Sequence, residues 1–486
     1  MNQPVAAARR FHPFVVLALV GIMMLAGGCA VGPNYRRPAA PTPQVFKEPP
    51  PEGWKEAQPN AGAIRGKWWE IYNDPQLNAL EEQIGISNQN VLAAAAQYRE
   101  ARDSVRIARS SLFPTVTTSP AVTNQRTPTT PTNQTVYDLP VDVSYQADVW
   151  GSIRRNLTAS YANAQASAAD LENARLSFQA ELAEFYFELH GLDGDTDLLQ
   201  RNVKVYEEYL KLTQDRFELG VASGADVAQA KTQLDTTRAQ LIDLGVQRTQ
   251  FEHAISILIG KPPAELSIPA MVLKTPPPAV PIGVPSALLE RRPDIAASER
   301  QVAAANEQIG IAKAAFFPSL LLSATGGFES ASFSTWLSWP SRFWAVGPQV
   351  AETLFDAGKR HAQLDLERAA YDATVANYRQ TVLTAFQQVE DNLAALRILE
   401  QEADAEDAAV ADAEESLAIS TDQYKQGIAT YLQVITAQAF ALQDEKAAVD
   451  ILTRRMTASV LLIEALGGGW DASQLPTRTE ILANSK

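Results

Sequence analysis

The chain has 486 residues, a formal net charge of −15, 46% hydrophobic and 20% charged residues. That composition is globular rather than disordered, and the acidic balance excludes nucleic acid as a partner, because phosphate binding needs basic clusters. Length alone suggests about three domains, but an internal repetition takes precedence over it.

The N-terminus reads as a targeting segment over 1–28. Arg9 and Arg10 give a positive region, and Phe14 to Leu25 an apolar run too short to span a bilayer. Cys29 is the only cysteine, so no internal disulfide forms. A sole cysteine after Ala26-Gly27-Gly28 resembles a bacterial lipobox, although Leu25 lies one position farther from it than usual. This resemblance implies that Cys29 is lipidated and becomes the mature N-terminus. Ala30, in place of Asp, implies the outer membrane. No later run of 18 apolar residues occurs, so any membrane crossing must be a closed β-barrel.

Residues 29–73 begin proline-rich and are expected to lie extended on the surface, with Lys67 to Tyr72 (KWWEIY) as an anchor. Asp74 caps a helix opened by Pro75 and reaching Pro114, with weak points at Gly85 and Ile-Ser-Asn. Over 114–150 the period changes from near 3.6 to near 2. Val141, Val143, Tyr145, Ala147 and Val149 fall on one face, Asp142, Ser144, Gln146 and Asp148 on the other. Thr115 to Thr123 is the partner strand, and Arg126 to Thr135 the expected loop. A tilted barrel strand needs about ten residues of such alternation; a soluble hairpin with one wet face reads the same.

From Ser152 to Leu219 the pattern is helical, a rod of about 100 Å at about 1.5 Å per residue, with a break expected at GLDGDTD. Ala225 to Ile259 returns. The chain then repeats itself. Gly151 recurs as Gly358, Gly220 as Gly427 and Gly260 as Gly467, each offset by 207 (358 − 151, 427 − 220, 467 − 260). Repeat 1 is therefore 74–260, with helical hairpin 152–260, and repeat 2 is 286–470, with β-hairpin 318–356 and helical hairpin 359–467. A proline-rich linker, 261–285, joins them and should wrap the rod near its middle; 471–486 is a tail. In the second copy Leu320, Leu322, Ala324, Gly326 and Phe328 alternate, and Trp336, Trp339, Phe343 and Trp344 gather at one hairpin end, as an interfacial girdle or a buried cluster would. Lys359 to Gln426 goes out and Tyr431 to Leu466 returns. Alanine-rich helices with apolar residues three and four apart predict coiled-coil packing. Gly151 and Gly358 turn strand into helix. At the far end Gly220 and Gly427 turn helix into helix, with Ser223 and Thr430 as N-caps. Four strands are too few to close a barrel, so strands in a membrane require an oligomer.

Enzyme and metal readings fare poorly. DGDTD at 193–197 resembles the start of a calcium loop, but Leu198 replaces its glycine and Lys204 its final glutamate. His190, His253 and His361 are scattered, and no phosphate loop follows a strand.

Five strings carry a family resemblance: CAVGPNYRRP at 29–38, WWEIYNDPQLNAL at 68–80, LLERRPDIAASERQVAAANEQIGIAKAAFFPSL at 288–320, LFDAGKR at 354–360 and YKQGIATYLQVITAQ at 424–438. The sequence is similar to the TolC-like outer-membrane factors, in the lipoprotein branch typified by NodT. The resemblance implies a mixed α/β membrane protein: a homotrimer with a twelve-stranded β-barrel in outer-membrane lipid, continued by a periplasmic helical tunnel. It implies no catalytic centre and no cofactor beyond the lipid on Cys29. The expected partners are a periplasmic adaptor and a proton-driven inner-membrane transporter of the RND type. The adaptor would meet the tips Gly220, Val221, Ala222, Ser223 and Gly427, Ile428, Ala429, Thr430. A periplasmic gate is implied at Leu432 and Thr436; relatives often carry aspartate at the latter, so a ring of charge there is in doubt. Leu432 could equally be a coiled-coil core residue. A metal-ion or polypeptide duct would use the same fold, and a structural coiled-coil lipoprotein without a pore is the remaining alternative.

Overall fold

A computed structural model of the protein describes residues 30–49, 51, 66–127, 130–282 and 285–483. Cys29 and the targeting segment lie outside these. The elements in order are α1 (Pro75–Ser87), α2 (Gln89–Ser110), β1 (Thr115–Thr118), β2 (Ala121–Thr127), β3 (Thr130–Ala147), α3 (Ser152–Glu218), α4 (Gly224–Leu258), α5 (Pro293–Ala314), β4 (Ser319–Ser330), β5 (Arg342–Ala351), α6 (Lys359–Lys425), α7 (Tyr431–Ala465) and the short α8 (Arg478–Ala483). The two long helices are 67 residues each, about 100 Å, and the returning helices 35 residues each.

Local chemistry sets each boundary. The Asp74 side chain accepts from the backbone N–H of Gln76 and Leu77 at the start of α1. Gly85 stays helical. The separation comes at Asn88, whose side chain caps α2 by accepting from Asn90 and Val91. Ser223 forms a reciprocal capping box with Asp226, and Thr430 does the same with Gln433. At the strand-to-helix turns Gly151 and Gly358 have φ of 83° and 88°, a region open to glycine at little cost. Asp148 and Asp356 then take up free N–H groups of the first helical turn.

Two expectations are corrected. The helix does not break at GLDGDTD: α3 runs unbroken from Ser152 to Glu218. Gly191 and Gly194 are there for proximity to α7, because a Cβ at 191 would collide with Thr453 Oγ1 and one at 194 would stand 3.1 Å from Val449. Asp193, between these glycines, is part of the packing as well. Its buried carboxylate lies 2.9 Å from His190 Nδ1 and accepts from Arg248 Nε at 2.6 Å and from the backbone N–H of Met271 at 3.0 Å. Burial alone would push this carboxyl up, but those hydrogen bonds hold it below its usual range. Met271 belongs to the linker, so this network ties 261–282 to α3 and α4, while Ile268, Val280 and Ile282 enter the main core.

The second correction is the loop expected over 126–135. β2 and β3 continue as strands to Thr127 and from Thr130, with Gln125 paired to Gln134 and Thr127 to Thr130 across an irregular register. The first strand is instead interrupted lower down, between Thr118 and Ala121, where Pro120 offers no N–H.

The principal core lies midway along the rods and includes Leu182, Tyr186 and Leu189 of α3, Val382, Val389 and Leu393 of α6 and Leu462 of α7. Trp68 and Trp69 are buried in it, docking the N-terminal segment. That segment runs beside the rods: the Val31 N–H bonds to Trp150 O, Arg155 to Pro33 O, and the Lys47 and Glu48 N–H groups to Glu390.

Candidate functional site

The sheet has strand order β1-β3-β4-β5, with β2 also paired to β3, so it is four strands wide and open at both edges. Antiparallel register sorts its side chains. Val116 faces Val143, Val143 faces Ala324 and Ala324 faces Val346. Tyr145 faces Leu322, and Ala147, Leu320 and Val350 form the row nearest the helices. Cross-strand partners share a face, so these rows make one continuous apolar surface. It is bare: Trp344 and Val346 are each 73% exposed. The opposite face carries Thr117, Asp142, Ser144, Gln146, Ser323, Thr325 and Gln349, with Thr325 Oγ1 donating to Asp142 at 2.7 Å.

From Ala147 up to Tyr137 the apolar face rises ten residues, which for strands tilted about 40° is about 25 Å, the height of a barrel's apolar band. At its upper margin Phe333 and Trp336 lie 5.7 Å from the Tyr137 ring, and Arg342 stacks on Trp339. Such aromatic rims mark bilayer interfaces.

At the other end of the rods Gly220 and Gly427 have φ of 73° and 77°. Val221 and Ile428 project there, Ile428 being 73% exposed, and Ala222 and Ala429 complete the two loops ahead of Ser223 and Thr430. The hairpins are braced together just above: the Arg216 guanidinium sits 4.6 Å over the Tyr424 ring and donates to Tyr424 O, and Tyr209 and Thr421 share a hydrogen bond. Leu432 is 57% exposed rather than part of the protomer's own core. Thr436, one turn on, donates its hydroxyl to Leu432 O. Phe440 extends the same exposed stripe at the i, i+4, i+8 positions; sequence reasoning passed over it, although that spacing was there to be read.

A sequence model described as outer membrane efflux protein matches the chain over residues 80–261 and again over 284–468. The chain belongs to this family. TtgC of Pseudomonas putida, described as a probable efflux pump outer membrane protein, is 30% identical over 463 residues, covering 94% of this chain and 96% of TtgC. OprJ of Pseudomonas aeruginosa is 31% identical over 473 residues, at 94% and 96% coverage. The outer-membrane channel OprN superposes with a TM-score of 0.83 at 30% identity, covering 91% of this chain and all of that one. The protein is thus an efflux component of the outer membrane of a Gram-negative bacterium, in a family of channels rather than enzymes.

This outer membrane efflux protein also holds a carboxylate cluster that sequence reasoning did not find, since its members lie on α3 and α7. Burial first, then Glu464, Glu181 and Glu188, push the Glu184 carboxyl up to about 7. Ionising Glu184 therefore costs stability: nothing below its unfolded pKa of about 4.5, rising between there and about 7, and complete above. Glu184→Gln should raise Tm at pH 8 and leave it unchanged at pH 4. Equal shifts at both pH values would separate Glu184 from that repulsion.

Proposed function

We propose that three copies of this chain form the exit duct of a tripartite efflux pump, conducting drugs and similar small molecules passively from the periplasm to the exterior. The observation that carries this reading is the bare apolar face on a sheet with two unpaired edges. Four strands cannot enclose a lumen, whereas three sets of four make a twelve-stranded barrel with no edge left to pair. The apolar face then meets lipid and the Asp142, Ser144 and Gln146 face lines water. The helical rods continue the wall as a tunnel about 100 Å into the periplasm.

We read the two halves as one duplicated unit. Equal helix lengths and the twofold match of the family model support that reading. Ala30 lies against Gly151, at the base of the sheet, so a lipid on Cys29 would enter the membrane beside the barrel. At the opposite end the loops 220–223 and 427–430 are the adaptor-docking tips. The exposed stripe from Leu432 through Thr436 is the periplasmic gate, an apolar constriction formed once from each copy. The inner-membrane transporter, of the proton-driven RND type, supplies the energy; relatives carry names such as toluene efflux pump outer membrane protein.

The test is accumulation of a fluorescent efflux substrate in cells lacking this chain and other ducts of its type. Restoring the chain should lower accumulation several-fold. Unchanged accumulation, with the protein present in the outer membrane, would contradict the reading.

A further inference from the structure

The registers inside the sheet constrain what its two open edges can meet. β1 pairs with β3 and β4 with β5 in matching fashion: Thr115 faces Ser144, and Ser319 faces Ala351. These partners lie 204 residues apart on one strand (319 − 115) and 207 on the other (351 − 144), and the same two shifts convert every β1–β3 pair into a β4–β5 pair. β2 continues the register of β1, with Ala121 facing Asp138. As ladders, the two hairpins are equivalent residue for residue.

One junction between such hairpins lies within the chain. It is the β3–β4 ladder, in which Ala147 faces Leu320 and Leu139 faces Phe328. A closed ring of equivalent hairpins needs a second junction of the same kind, from β5 of one copy to β1 and β2 of the next. The same shifts turn Ala147–Leu320 into Leu354–Val116 (147 + 207, 320 − 204) and Leu139–Phe328 into Val346–Asn124 (139 + 207, 328 − 204). Val346 and Val116 both belong to the apolar face, so this register joins outward face to outward face. A slip of one residue would set the apolar face of one copy against the polar face of the next. A slip of two keeps the faces matched but breaks the equivalence of the junctions.

The feet of the two edges are bare in a complementary way. At the internal junction the Phe317 ring, just ahead of β4, stacks on Trp150 at 4.5 Å, and Trp150 Nε1 donates to Pro318 O at 2.8 Å. Phe113, 204 residues before Phe317 and just ahead of β1, is exposed. On the opposite edge Leu354 and Phe355, just past β5, are 88% and 86% exposed. Exposed apolar groups on both edges at the same level mark a contact surface.

We infer that β5 of one copy pairs with β1 and β2 of the next in this register, Leu354 facing the partner's Val116 and Val346 facing the partner's Asn124, and that Leu354 and Phe355 cover the partner's Phe113. The inference rests on the trimeric duct and adds to it which residues meet where the chains join.

Cysteine pairs in the full-length protein read the register directly, because Cys29 is the only native cysteine. Leu354→Cys with Val116→Cys, and Val346→Cys with Asn124→Cys, place Cβ atoms about 4.5–5.5 Å apart across the junction, near what a disulfide spans, whereas diagonal partners lie about 7–8 Å apart. After mild oxidation of isolated outer membranes, each pair should give covalent dimers and trimers on a non-reducing gel. The yield should be about tenfold or more above that of the pairs shifted by two, Leu354→Cys with Thr118→Cys and Val346→Cys with Val122→Cys. Two pairs at different heights keep the test open if one variant fails to assemble. Phe113→Ala should in addition lower the temperature at which the trimer dissociates, and an unchanged temperature would remove Phe113 from the contact. The mass of the unaltered protein in detergent separates the two levels. A monomer contradicts the trimeric duct itself, whereas a trimer that links through neither predicted pair, or as well through a shifted one, overturns this register alone.

Discussion

Val143→Arg should abolish assembly in the outer membrane, whereas Ser144→Arg, its immediate neighbour, should be tolerated. Val143 lies in the middle of the apolar face, between Val116 on β1 and Ala324 on β4, and near mid-height between Ala147 and Tyr137. An arginine facing lipid at that depth costs about 2–4 kcal/mol per site. Threefold repetition multiplies the cost to about 6–12 kcal/mol per assembly, comparable with the whole stability of an ordinary domain. Ser144 points to the opposite face, where arginine would meet water. The check is the amount of folded, heat-modifiable trimer in the outer-membrane fraction. Equal loss in both variants would mean that the two faces are not lipid and lumen, and wild-type levels of Val143→Arg would mean that this face does not meet lipid.

Gly427→Val should leave trimers in the membrane yet remove drug resistance, and Gly220→Val should do the same. Both glycines have φ above +70°, where a β-branched residue is strained by about 1–2 kcal/mol or more. Around Gly220 nothing lies within 4 Å of an added Cβ, and at Gly427 the nearest atom is Arg216 Nη2 at 3.9 Å. The penalty is therefore one of backbone conformation rather than collision, and it stays in the tip. The capping boxes at Ser223 and Thr430 fix how the return helices begin, so a distorted turn misplaces Val221 and Ile428. Resistance and co-purification with the adaptor should fall together. Full resistance in both variants would remove the tips from the docking surface.

Much of this architecture was legible because its signals are local and repeated. Period-2 alternation marked Val141 to Ala147, and glycines marked the strand-to-helix turns at 151 and 358 and the helix-to-helix turns at 220 and 427. What escaped depended on distant segments. GLDGDTD has the composition of a helix break, yet Gly191 and Gly194 serve the approach of α7, some 255 residues away, and Asp193 serves Arg248 and the linker. The segment 126–135 reads as loop by composition, while the β2–β3 ladder pairs Gln134 with Gln125 and Thr135 with Asn124 and keeps that part extended. Among the candidate site residues, Leu432 was nameable, but its exposure, the stripe it shares with Phe440 and the Arg216–Tyr424 brace needed the folded helices. Glu184 is one of many acids until Glu464 is brought against it.

Single-channel recording of the purified protein in planar bilayers, with its mass determined in the same detergent, tests the central claim most directly. A trimer with small, mostly closed currents is expected, enlarged by Leu432→Ala because that change removes three apolar side chains from one constriction. A monomer or dimer that conducts under no condition would contradict the duct, and the apolar face of the sheet would then need another partner.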